Sequence, residues 1–122
     1  GTAMDFRTPK TIGRDADNDE PSVKPFGGYD SNFVISGHPV ATTVGDQTGI
    51  TMVTDTDQPG VQLYTANALT DRKGKGGKEY SSRSAFCLET QHYPDSIHHP
   101  QWPSCILRKD EAFHSFTSYT FS

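Results

Sequence analysis

The stretches NFVIS (residues 32–36), PVATTVGD (39–46) and GITMVTD (49–55) decide the fold. All three are short, rich in Val, Ile and Thr, and bounded by Gly, Pro, Asp or Ser. That is the composition of strands between turns. Between the second and third, GDQTG at 45–49 reads as a hairpin turn. Working outward, VQLYT (61–65) and SAFCLE (84–89) read as further strands, and CILR (105–108) and AFHSFTSYTFS (112–122) close the chain as two more. In the last of these Phe113, Tyr119 and Phe121 share one parity and Phe116 takes the other. Such two-sided apolarity suits a strand covered on both faces, as in stacked sheets. No amphipathic helix of useful length and no internal repeat is present. The chain reads as all-β with few or no helices.

The remaining segments are irregular by composition. Residues 1–29, with Pro9, Pro21 and Pro25 around an acidic run at 15–20, read as an extended arm and an exposed loop with room for a helical turn. Residues 66–83 read as a long loop rich in Gly and Lys, and with Pro94, Pro100 and Pro103 little regular structure is expected over 91–104. A length of 122 residues is about one domain. The apolar share of 32% is low. Two readings fit it: a small, loop-rich all-β domain, or part of a larger sheet whose other layer lies elsewhere.

Charge and cysteine content narrow the function classes. A net charge of −4 argues against nucleic-acid binding, which needs a basic face. The basic run from Arg72 to Lys78 is glycine-laced and reads as a solvated loop, with an anion or partner contact as the alternative. No run approaches ~18 apolar residues, so no transmembrane helix is expected. Cys87 and Cys105 are too few for a disulfide scaffold and lack metal-ligand spacing, so they are expected as reduced, partly buried thiols. With no signal peptide at its start, the chain is expected to be cytoplasmic.

Few residues offer chemistry. His92, His98 and His99 crowd one loop, but adjacent histidines on an irregular segment point apart, and no metal site is expected. Nucleotide-binding and serine-hydrolase motifs are missing. Glu89 ends a run that otherwise reads as buried, where desolvation would raise its pKa and suit it to act as a base. The alternative is a strand-end glutamate facing solvent or an arginine. Asp30 follows a glycine turn at a strand entrance, either as a functional carboxylate or as a turn cap.

Taken in order, GYDSNFVI, TDQPGVQLYTAN and SAFCLETQHYPDSIHHPQWPSCILRKDEAF resemble the C-terminal third of the aldose 1-epimerase (galactose mutarotase) family. The opening GTAMDFR resembles the family's GTPFDFR, with Ala3 and Met4 replacing Pro and Phe, and Ala85 stands where the family often has Gly. The resemblance covers essentially the whole chain. It implies that residues 1–122 are the C-terminal portion of a single domain, a large antiparallel β-sandwich that interconverts the α and β anomers of free aldoses such as galactose or glucose. By the same resemblance Glu89 matches the catalytic base, while Asp30 and Gln62 match sugar-contacting residues; Ser31 replaces a frequent histidine. The family's acid histidines and orienting arginine lie in its N-terminal two-thirds, and nothing here matches them. The chain alone is therefore expected to be inactive. Its expected partners are an aldose and the N-terminal portion, in cis or as a separate chain, with no cofactor, metal, nucleic acid or membrane. A non-catalytic carbohydrate-binding β-sandwich fragment is the alternative.

Overall fold

Turn residues and β-branched runs fix where the backbone becomes regular. The computed structural model describes residues 1–122. It contains eight strands: β1 (Asp30–Val34), β2 (Ala41–Val44), β3 (Thr51–Thr56), β4 (Gly60–Tyr64), β5 (Arg72–Lys73), β6 (Glu79–Tyr80), β7 (Cys87–Gln91) and β8 (Thr117–Phe121). The only helical elements are single 3-10 turns at Ile12–Arg14, Lys24–Phe26, Lys75–Gly77 and Ser96–His98. The chain is all-β, as its sequence suggests. Strand orders are β1-β4-β7, β2-β3-β8 and β5-β6. No helix is long and apolar enough to cross a membrane.

The chain divides into two compact units, and Gly1–Ser31 with Gln62–Cys87 form the first. Its core contains Ala3, Ala16, Val23, Tyr29, Leu63 and Ala66. Tyr29 is fully buried; its hydroxyl donates to the Ala3 carbonyl at 2.8 Å, and Phe6 meets its ring edge-on at 5.3 Å. The Lys10 ammonium sits 4.1 Å from the Phe6 ring centroid, pairs with Asp15 at 2.8 Å and also donates to the Ala3 carbonyl. Residues 1–29 are thus a packed layer rather than an arm. Their few apolar residues are scattered without a period, so only the folded chain shows that they converge. Residues 66–83 likewise carry a small antiparallel ladder, β5 against β6, within the expected loop. Gly74 makes this possible, because a Cβ there would lie 2.0 Å from the Tyr80 ring.

Asn32–Val61 with Leu88–Ser122 form the second unit. Here β3 is the centre of an antiparallel sheet, pairing Thr42↔Val53 with β2 and Thr54↔Tyr119 with β8. The expected hairpin is present: Gly45 N–H donates to the Ile50 carbonyl at 2.9 Å, and Gly49 turns at φ +69°. Two expectations fail in this unit. CILR forms no strand, and residues 112–116 stay irregular until β8 begins at Thr117. The whole of 101–116 is exposed, and an extended apolar run becomes a strand only beside a ladder partner. Cys87 and Cys105 are both exposed rather than partly buried. Cys87 sits on an outward position of β7, and Cys105 belongs to that exposed stretch.

Candidate active site

Asp30 opens β1 and Gln62 is the middle residue of β4, the strand next to it in the sheet order. Both are half-buried, and Gln62 Nε2 donates to Asp30 Oδ1 at 2.8 Å. An amide that fixes a carboxylate in this way leaves a directional acceptor suited to a hydroxyl group. The approach to Asp30 is built from backbone clamps. Gly27 lies at φ +66° and Gly28 at φ +149°. A Cβ on Gly28 would meet Asn67 Oδ1 at 2.2 Å and Thr65 Oγ1 at 2.8 Å, so glycine is required there. Thr65 Oγ1 accepts from the Tyr29 N–H at 3.0 Å, and Asn67 Nδ2 donates to the Tyr29 carbonyl at 2.9 Å. Arg83 Nε donates to the Gly27 carbonyl at 2.9 Å.

Glu89 is the middle residue of β7, not the end of its strand. Its neighbours in the chain are both tied to β8. Tyr119 Oη donates to the Leu88 carbonyl at 2.8 Å, and Thr90 and Thr117 share a hydroxyl hydrogen bond at 2.7 Å. Alternation along β7 leaves Leu88 and Thr90 half-buried and turns Cys87 and Glu89 outward. Glu89 is therefore exposed in this chain. The desolvation that its apolar run suggested is absent, because nothing in these residues covers the face it occupies.

Three of the five histidines make side-chain contacts. His38 Nδ1 bonds Asp55 at 2.5 Å, which holds that carboxyl below its usual range. His98 bonds Asp95, while His99 stacks on Trp102 at 4.0 Å. No three His, Cys, Asp or Glu side chains are grouped as metal ligands. A cleft of about 290 Å³, lined by Phe33, Ile35, His38, Pro39 and Val61 among others, contains none of Asp30, Gln62 and Glu89. A concave surface alone is a weaker guide than placed polar chemistry. Thr65, Asn67, Arg83 and Thr117 escaped the sequence reading. Thr65, Asn67 and Thr117 fall in quoted stretches, but no spacing signals side chains that bond to residues distant in the sequence.

Comparison with known proteins resolves the family. The aldose 1-epimerase family model matches residues 1–120. The chain belongs to the aldose 1-epimerase family. Galactose mutarotase of Homo sapiens is 37% identical over 127 residues, covering 100% of this chain and 36% of that protein. Aldose 1-epimerase of Escherichia coli K12 is 35% identical, covering 99% of this chain and 37% of its own length. A crystal structure of a GalM/aldose epimerase homologue from C. elegans superposes with a TM-score of 0.81 at 27% identity, covering 99% of this chain and 37% of that one. This epimerase-family chain thus has the aldose epimerase fold, and it spans little more than a third of the length of the relatives it matches.

Proposed function

We propose that residues 1–122 are the C-terminal portion of an aldose 1-epimerase domain, supplying the base and part of the sugar floor for anomer exchange of free hexoses. The Gln62–Asp30 hydrogen bond carries this reading: it joins two residues that the family resemblance assigns to sugar. In the proposed reaction the Glu89 carboxylate takes the proton of the anomeric hydroxyl. The C1–O1 bond becomes a carbonyl as the bond from C1 to the ring oxygen breaks, and the ring oxygen takes a proton from an acid. Rotation about C1–C2 exposes the other carbonyl face, and the reverse steps close the ring. An alkoxide is a poor leaving group at neutral pH, and a placed acid contributes roughly 10²–10⁴-fold. That acid is assigned to the complementary portion of the enzyme, which would also cover Glu89 and strip its water.

For the isolated chain a second reading, a non-catalytic carbohydrate-binding fragment, is favoured by the exposure of Glu89. Polarimetry with α-D-galactose and α-D-glucose separates the two. Acceleration is expected only when the complementary portion is supplied, in cis or as a second chain. No acceleration in either arm overturns the enzymatic reading.

A further inference from the structure

We propose that Arg83 is a positioning residue for the Asp30 carboxylate, a role that rests on the sugar-contact reading of Asp30. The turn before Asp30 is anchored by packing only at Tyr29, which is buried and held by Thr65 and Asn67; Gly27 and Gly28 have no side chains and Gly28 has no room for one. Its geometry depends on hydrogen bonds to its backbone. Arg83 supplies a forked pair of them: Nε and Nη2 both bind the Gly27 carbonyl. The same guanidinium reaches the Ala16 carbonyl at 3.3 Å and pairs with Asp17 at 2.7 Å. Arg83 is itself fixed, at φ +60°, with its N–H donating to the Ala66 carbonyl at 3.2 Å. A planar fork of donors spans these acceptors together, whereas a lysine ammonium lacks that geometry. Arg83 thus ties the segment that leads into β7 to the turn that presents Asp30. Binding groups need placement within about 0.5 Å, so releasing the Gly27 carbonyl lets Asp30 drift from its hydroxyl.

The test is a double-mutant cycle in the complete enzyme, with Arg83→Met and Arg83→Lys made alone and together with Asp30→Ala. Anomer exchange is followed for galactose and its deoxy analogues. Arg83→Met is expected to lower kcat/KM about tenfold, the lower range for supporting groups around a site, and Arg83→Lys to recover only part. With Asp30 already removed, the same changes should cost less than about twofold. Arg83→Met should also spare the deoxy analogue that Asp30→Ala spares. Equal losses in both backgrounds, or for every analogue, overturn the proposal. If Arg83→Met does not fold, Arg83→Lys, which keeps the charge beside Asp17, carries the cycle with the same criteria. The Asp30→Ala arm separates the two readings: an equal loss for every analogue there removes the sugar-contact reading, whereas additive Arg83 and Asp30 losses beside an Asp30→Ala that spares one deoxy analogue remove the Arg83 role alone.

Discussion

Asp30 owes its place to its neighbours in the fold. Two glycines make the turn, Thr65 and Asn67 hold Tyr29, and Gln62 orients the carboxylate at 2.8 Å. A desolvated hydroxyl partner left unpaired costs about 1–3 kcal/mol. In the proposed enzyme Asp30→Ala and Gln62→Ala should therefore each reduce kcat/KM by about 5- to 150-fold for a good sugar. The loss should be smaller for the deoxy analogue lacking the contacted hydroxyl, as comparative steady-state kinetics would read. Equal loss for all sugars points to a structural role instead. The sequence made Asp30 visible through its glycine turn and Gln62 visible only through the family's QPGVQLY-like motif. It could not show that they bond to each other, since 32 positions separate them and no local period links them.

Among the elements, those bounded by strong turn chemistry were legible. The β2–β3 hairpin follows from Gly45 and Gly49 with β-branched residues on either side. Residues 105–108 were not legible, because their composition is that of a strand while pairing depends on a partner ladder. The 3-10 turn at Ile12–Arg14 shows the other limit: polar contacts hold it, and these leave no hydrophobic period. Just after it, the Arg14 guanidinium and then the Lys10 ammonium hold the Asp15 carboxyl at about 2, below its usual 3.8. Asp17 is lowered by Arg83, and Asp57 by the Phe116 N–H. Carboxyls with depressed folded-state pKa values stabilise fully above the unfolded value and lose that contribution as pH falls through the folded one. Stability should thus fall between about pH 4 and pH 2. Thermal unfolding across that range should show a shallower decline for Asp15→Asn than for the wild type. Identical slopes would remove Asp15 from the account.

As a molecule, the chain leaves much apolar surface uncovered. Phe113, Phe116, Tyr119 and Phe121 are 46–64% exposed, and Ile106 and Leu107 are more than half exposed. Large apolar side chains exposed together mark interfaces when they form one extended patch. Glu89 is exposed in the same unit, and relatives are nearly three times as long. Under the proposed function the complementary portion of the enzyme would supply both a covering layer and the dry environment that the base needs. The most direct measurement is anomer exchange of α-D-galactose by polarimetry, comparing the complete enzyme with its Glu89→Gln variant. Glutamine keeps the shape and hydrogen-bonding reach of glutamate but cannot take up the anomeric proton at neutral pH. Turnover should fall by roughly 10² or more with sugar binding largely retained; near-normal turnover in Glu89→Gln would contradict the assignment of this chain as the bearer of the base.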